Sequence, residues 1–239
     1  MIPQWQKGIV IRVEQATALT RRYWIRLPET EVFHFKPGQF MTLDLPIHEN
    51  RNKRWRSYSI ASTPDGTNVI ELVIVYLEGG AGTTYFFNEV KVGTELTLRG
   101  PNGVFVLPGN LEEKELFLIC TGTGIAPFRS MLHYIHRHQL PHRKLHLIFG
   151  TRTSGDLLYR DEMERLEREL PSFRYYPTLS REEWEGRKGY VHQVYEELCR
   201  EKPPAHFMLC GWRNMIDEAK HKLLDLGYDK KDIHLELYG

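Results

Sequence analysis

The apolar positions of the chain follow two different grammars. In the N-terminal part they fall into short runs: Gly8-Ile9-Val10-Ile11-Arg12-Val13, Tyr23-Trp24-Ile25-Arg26-Leu27, Phe40-Met41-Thr42-Leu43-Asp44-Leu45, Val69 to Tyr76, and Glu95-Leu96-Thr97-Leu98. Turn signals at Lys36-Pro37-Gly38, Pro64-Asp65-Gly66 and Val92-Gly93 separate them. Short strands with regular turns and almost no helical periodicity predict a small antiparallel β-barrel. One short helix is expected there, Gly82 to Glu89, after the Gly79-Gly80 break.

From Glu115 onward the pattern alternates strand and helix. Apolar runs predict strands at Leu116–Cys120, Leu145–Gly150, Phe173–Leu179 and His206–Cys210, with a last one at Ile233–Tyr238. Apolar residues three or four apart predict helices at Ala126–His138, Gly155–Leu170, Val191–Arg200 and Arg213–Leu226. This alternation implies a parallel sheet covered by helices, with ligands at the carboxyl ends of its strands. The fold class expected is therefore a two-domain one. An antiparallel barrel occupies residues 1–109 and an α/β domain residues 110–239, the boundary falling within Pro108-Gly109-Asn110-Leu111-Glu112-Glu113-Lys114.

Composition narrows the function classes. The 239 residues, 41% hydrophobic and 26% charged, suffice for two cores. A net charge of +1 supplies no basic surface for nucleic acid or membrane. The start Met1-Ile2-Pro3-Gln4-Trp5 has no signal-peptide pattern, and no apolar run approaches the roughly 20 residues of a membrane span, so a cytoplasmic location is expected. Cys120, Cys199 and Cys210 share no CxxC spacing and cannot provide the four thiolates of an iron–sulphur cluster. Any such cluster is expected on a partner.

The stretch Thr121-Gly122-Thr123-Gly124-Ile125-Ala126-Pro127-Phe128-Arg129 joins an apolar run to a helical pattern. In such a turn backbone N–H groups can approach a phosphate, and the helix dipole favours the anion. Pro127 stands where the dinucleotide fingerprint G-x-G-x-x-G has its third glycine, so taken alone the turn reads equally as tight packing. Four further motifs decide its meaning: Arg56-Ser57-Tyr58-Ser59, Gly79-Gly80-Ala81-Gly82-Thr83-Thr84, Gly100-Pro101-Asn102-Gly103 and Cys210-Gly211-Trp212-Arg213-Asn214-Met215. In that order, with the glycine turn among them, they resemble the ferredoxin–NADP reductase family of flavoproteins over the whole chain. The tail His234-Leu235-Glu236-Leu237-Tyr238 resembles the acidic-x-aromatic ending of its plant-type branch, with one extra residue, Gly239.

Elementary chemistry stands beside the resemblance. Arg56 offers a permanently charged planar fork suited to a diphosphate, and Tyr58 an aromatic face suited to a planar ring. The alternation of a strand points both away from Ser57 and Ser59. The resemblance implies that Arg56 and Tyr58 touch FAD and that Ser59 lies near flavin N5. It implies further that Val73, Ile74 and Val75 contact the flavin through their backbone, and that Gly82, Thr83 and Thr84 hold the FAD diphosphate. The Gly100–Gly103 motif also reads as a plain turn. In the second half, Thr121, Gly122, Thr123, Gly124, Ile125, Ala126 and Pro127 become the nicotinamide-nucleotide turn, with Arg152 of Phe149-Gly150-Thr151-Arg152 as diphosphate partner. Cys210, Gly211 and Met215 belong to the nicotinamide end; Glu236 lies by the nicotinamide, and Tyr238 stacks on the flavin face opposite Tyr58.

The implied activity is hydride transfer between NAD(P)H and FAD, and single-electron transfer between FAD and a ferredoxin or flavodoxin. Catalytic roles fall to Ser59, Cys210, Glu236 and Tyr238, and no metal is called for. Ser180-Arg181 and Lys188-Gly189-Tyr190 suit an adenosine 2′-phosphate and favour NADP(H) over NAD(H), although NAD-using relatives also carry a Ser-Arg-Glu run. Two other readings keep the same motifs: the reductase component of an oxygenase system, and a non-catalytic nucleotide-binding regulatory subunit. The histidines 133, 136, 138, 142 and 146 and the charged run Asp161–Glu169 read as solvated surface rather than chemistry. Arg51, Lys53 and Arg54 are the cations that could face an acidic carrier.

Overall fold

The computed structural model describes residues 4–238. The chain divides into two compact units: residues up to Leu107 together with Ala126–Tyr134, and Pro108–Ile125 together with the residues from Ile135 onward.

The first unit holds six antiparallel strands, β1 (Gln6–Thr17), β2 (Thr20–Arg26), β3 (Phe40–Asp44), β4 (Trp55–Ser59), β5 (Val69–Val75) and β6 (Glu95–Asn102), in the order β4-β3-β6-β1-β2-β5. A bridge between Ile60 and Leu72 links the β4 end of this order to β5 and closes the barrel. Alternating residues fill its interior, Tyr23 and Ile25, Met41 and Leu43, Ile70 and Leu72, all withdrawn from solvent. Helix α1 (Ala81–Asn88) drives Phe86 into this core, where its ring meets Tyr23 at 5.0 Å and Tyr58 at 5.5 Å, both edge-on. A buried phenylalanine stabilises by about 2–3 kcal/mol, so this one side chain holds α1 against the barrel core.

One further element belongs partly to this unit. Residues 126–134 of helix α2 (Ile125–His138) are tied to the barrel by polar contacts. The Arg129 guanidinium donates to the Ala61 carbonyl at 2.8 Å and to the Glu71 carboxylate at 3.1 Å, and the Ser130 hydroxyl donates to the Ser62 carbonyl at 2.6 Å. Glu71, only 2% exposed, also accepts from Arg22 at 2.6 Å, so this buried carboxylate is paired with two guanidiniums.

The second unit carries six strands, β7 (Glu115–Thr121), β8 (Leu145–Thr151), β9 (Phe173–Leu179), β10 (Arg187–Lys188), β11 (Ala205–Trp212) and β12 (Ile233–Tyr238), all paired parallel in the order β10-β9-β8-β7-β11-β12. The central strands β7, β8 and β11 read as unbroken apolar runs because both faces are buried. Helices α4 (Val191–Leu198) and α5 (Arg213–Asp225) supply Val191, Val194, Ile216, Ala219 and Leu223 to one core with Phe117, Phe207 and Leu209. The chain leaves β7 toward β8 on one side and returns to β11 on the other. The carboxyl ends of β7 and β11 therefore form the switch point at which ligands bind in such sheets.

Three local expectations are corrected. The predicted helix Gly155–Leu170 begins only at Arg160, as α3 (Arg160–Glu169). Before it, Thr153 and Asp156 cap a separate 3-10 turn, Ser154–Asp156, and Tyr159 takes a left-handed conformation that interrupts any helix. The last barrel strand does not stop at Leu98 but runs through Gly100 and Pro101 to Asn102, pairing there with Phe40. The short strand β10 has no apolar run to announce it; it exists because Arg187 and Lys188 pair with Thr178 and Leu179.

Candidate functional site

In the barrel, β4 presents Arg56 and Tyr58 half-buried, Ser57 exposed and Ser59 buried. The Arg56 side chain is anchored by donating to the carbonyls of Trp55 and Lys53, at 2.8 and 3.1 Å. Its stem crosses the start of α1, so that a Cβ on Gly82 would stand 3.0 Å from Arg56 Cγ and 3.2 Å from Nε. Only the absence of a side chain at residue 82 lets the cation lie there. Helix α1 has no side-chain cap. The hydroxyl of Thr83 is turned back to Leu77 and Gly80 instead, leaving the first-turn N–H groups without intrahelical acceptors. A guanidinium and free amides at one helix start form a site for a diphosphate. Thr84 is half-buried beside them. Burial pushes the Tyr58 hydroxyl well above its ordinary pKa, so Tyr58 is a neutral aromatic surface. Val73 and Ile74 are buried and Val75 half-buried, so whatever ligand contact they make runs through the backbone. This donor set fits the FAD that the motifs imply.

The second unit gathers its own set at the carboxyl ends of β7, β8, β9, β11 and β12. The 3-10 turn Gly122–Gly124 follows β7 at Thr121 and has no side-chain cap. Ile125 leads on into α2 and is buried; Ala126 and Pro127, also buried, belong to the first unit. A Cβ on Gly124 would stand 2.3 Å from the Cys210 carbonyl oxygen, so the turn is seated directly against the end of β11. Gly211 has φ +139°, and a side chain there would strike Thr121 Oγ1 at 2.5 Å, so the Cys210-Gly211 step can be made only by glycine. Cys210 is fully buried and stands in register with Cys120 on one side and Glu236 on the other. Burial first, then the Glu236 carboxylate, push the Cys210 thiol up, while a hydrogen bond with Tyr238 opposes them. Cys210, Glu236 and Tyr238 thus share one place, and Cys210 is a protonated thiol rather than a nucleophile.

At the ends of β8 and β9 the backbone N–H of Ser180 donates to the Thr151 carbonyl at 3.0 Å and that of Arg181 to the Arg152 carbonyl at 2.9 Å. The two arginines are carried out together by these bonds; both are exposed, and neither guanidinium has a partner among the described residues. Ser180 also donates its hydroxyl to the Thr151 carbonyl at 3.2 Å. Lys188 is paired with Glu183, and Tyr190 stands 67% exposed. The neighbouring Glu182 is turned aside, accepting from the Ser154 N–H and hydroxyl at 2.7 and 2.8 Å, which hold its carboxyl below the usual range.

Met215 packs against the apolar core under α5. Arg54, one of the three cations open to an acidic carrier, is paired with Asp44 at 2.7 Å. Gly239, whose effect on the tail aromatic was raised, lies outside the described residues. Sequence reasoning passed over Trp212, which is 58% exposed directly after Gly211.

Comparison with known proteins agrees with both halves. Residues 7–107 match the oxidoreductase FAD-binding domain family, and residues 118–221 the oxidoreductase NAD-binding domain family. Ferredoxin–NADP reductase B of Sorangium cellulosum is 35% identical over 238 residues, covering 96% of each chain. The phenol hydroxylase P5 protein of Acinetobacter pittii is 31% identical over 90% of this chain, which spans only 60% of that protein. Among solved structures, a cytochrome P450 reductase of Amycolatopsis superposes with a TM-score of 0.88 at 28% identity, over 98% of this chain and 70% of that one. A ferredoxin NADP+ reductase of Neisseria gonorrhoeae with bound FAD and NADP gives 0.81 at 25% identity, over 98% of both. No described helix is long and apolar enough to cross a membrane. The chain belongs to the ferredoxin–NADP reductase family and is an FAD-dependent oxidoreductase that uses a pyridine nucleotide.

Proposed function

We propose that this enzyme takes electrons from NADPH and delivers them singly to a ferredoxin or flavodoxin in the cytoplasm. The observation that carries the reading is the pair of unpartnered guanidiniums, Arg152 and Arg181, held side by side at the ends of adjacent parallel strands. Two neighbouring guanidiniums suit a ligand with two anionic groups, such as an adenosine 2′-phosphate and a diphosphate. The full-length match to a ferredoxin–NADP reductase and the three unpaired cysteines, which persist in a reducing compartment, support the acceptor and the location.

When bound, FAD would supply the redox chemistry that no side chain can, exchanging two electrons with the nicotinamide and single electrons with a carrier. The chain's own residues do the rest. Arg56 and the amides of Gly82 and Thr83 bind the flavin diphosphate; Tyr58 offers its ring face; the buried Ser59 hydroxyl orients a proton at flavin N5. Thr121–Pro127 and Arg152 bind the nucleotide diphosphate, Ser180, Arg181, Lys188 and Tyr190 the 2′-phosphate end. Cys210 and Gly211 shape the nicotinamide seat, Glu236 orients the carboxamide, and Tyr238 fills the seat until the nucleotide arrives. Holding the reacting atoms at about 3–3.5 Å in alignment is where such positioning lowers the barrier.

The acceptor is tested by anaerobic assay of the FAD-loaded protein against a ferredoxin, a flavodoxin and an oxygenase iron–sulphur component, with NADPH and NADH, on wild type and Arg181→Ala. We expect NADPH to be preferred and Arg181→Ala to lower kcat/KM for NADPH about 10–100-fold while sparing NADH. Preference for NADH in both proteins would sink the NADP assignment. Faster reduction of the oxygenase component would favour the alternative raised by the phenol hydroxylase relative, a reductase serving an oxygenase.

A further inference from the structure

The loops that follow β8 and β9 carry four carboxylates beside Arg152 and Arg181, and each carboxylate is occupied elsewhere. After β8, Asp156 accepts from the Thr153 N–H and hydroxyl at 3.2 and 2.8 Å. After β9, Glu183 pairs with Lys188, and Glu185 with Arg160 at 3.6 Å. The fourth, Glu182, directly follows Arg181, and its two oxygens accept from the two donors of a single residue, Ser154, at 2.7 and 2.8 Å.

One hydrogen bond to each oxygen fixes the direction of this carboxylate as well as its charge. Both donors favour the ionised form and hold the carboxyl below the usual range, so Glu182 is an anion at neutral pH. An anion released at this point has cations within reach. Ser154 stands two residues after Arg152, at most about 7 Å of chain, which an arginine side chain spans, and Arg181 is the neighbour of Glu182 itself. Exposed ion pairs are weak, yet a guanidinium held by Glu182 is lost to a phosphate. Neither arginine has taken the carboxylate, because the two donors of Ser154 have.

We propose that Ser154 is a positioning residue for nucleotide selection: its N–H and hydroxyl hold the Glu182 carboxylate off Arg152 and Arg181, which keeps both guanidiniums free for the phosphates of NADPH. This latch rests on the reading that those arginines take NADPH. It adds a residue that touches no ligand and sets the preference through Glu182. An open latch acts twice on NADPH, since the freed carboxylate occupies a cation and also repels a phosphate monoester of roughly two negative charges.

The test compares kcat/KM for NADPH and NADH, with the FAD-loaded protein and ferricyanide as acceptor, in wild type, Ser154→Pro, Ser154→Ala, Glu182→Gln and the double variant Ser154→Pro/Glu182→Gln. Proline removes both donors and suits the first position of the turn, because Thr153 before it is extended at φ −133° and ψ 165°. The latch predicts that Ser154→Pro lowers the preference for NADPH over NADH about fivefold, and that Ser154→Ala, which keeps the N–H, lowers it about twofold. The double variant should regain the preference of Glu182→Gln, since an amide has no charge to release. An unchanged preference in Ser154→Pro and Ser154→Ala overturns the latch. So does a loss that persists undiminished in the double variant, which marks a purely structural defect. NADPH preferred equally by wild type and both Ser154 variants removes the latch alone; NADH preferred by the wild type removes the reading beneath it as well.

Discussion

Gly124 and Cys210 are packed so tightly that a methyl group on residue 124 would stand 2.3 Å from the Cys210 carbonyl oxygen. The glycine turn after β7 and the end of β11 are thus packed directly on one another, on neighbouring parallel strands. Gly124→Ala must push backbone against backbone, and overpacking of this kind costs about 1–3 kcal/mol. By contrast, a methyl at Gly122 has room, since its nearest neighbour is 4.0 Å away, although φ +55° there costs an alanine about 1 kcal/mol. Urea unfolding should therefore rank Gly124→Ala below Gly122→Ala, and the KM for NADPH should rise at least tenfold in Gly124→Ala. Equal stability and unchanged KM would show that the turn is not seated on β11.

Tyr238 is half-buried next to Cys210 and Glu236, in the place assigned to the nicotinamide. A ring that fills the seat competes with the nucleotide. Tyr238→Ser should tighten NADP+ binding about tenfold and lower kcat by slowing product release, both measurable by titration and stopped-flow. Unchanged binding and turnover would remove Tyr238 from the mechanism.

Acid sensitivity should come from the base of the same sheet. His146 on β8, expected on the solvated surface, is instead 4% exposed because β8 is buried on both faces; it stacks on Phe117 at 4.4 Å and shares a 2.9 Å contact with Glu115. Burial holds its pKa below the ordinary 6.5; the Glu115 hydrogen bond and charge oppose this, and the Lys144 and Arg174 charges add to it. The unfolded chain then binds the proton more readily than the folded one. Stability is complete above pH 6.5 and is lost as the pH falls through 6.5 toward the lower folded value. His146→Gln should flatten the fall in unfolding free energy between pH 7 and pH 5 by up to about 1.4 kcal/mol per pH unit. An identical slope in both proteins would contradict the assignment.

Particular residues show why part of this was readable in the sequence. The strand and helix alternation was legible because β7, β8 and β11 are buried on both faces and so carry unbroken apolar runs. Arg56 and Gly82 announced themselves as types that bind phosphate, while their contact, which joins β4 to α1, needed coordinates. Arg129 closes the glycine-turn stretch and had no role assigned; its guanidinium pairs with Glu71, 58 residues away in the barrel strand β5. No local pattern encodes such a pair. The start of α3 was misplaced for a local reason, the left-handed Tyr159, since a tyrosine gives no warning of a positive φ as glycine does.

The most direct test of the account is an anaerobic spectrophotometric titration of the purified protein with NADPH. The account predicts a yellow protein with bound FAD whose flavin absorbance bleaches with about one equivalent of NADPH and returns on addition of oxidised ferredoxin or flavodoxin. A protein that binds no flavin, or whose bound flavin stays oxidised under both NADPH and NADH, would contradict it.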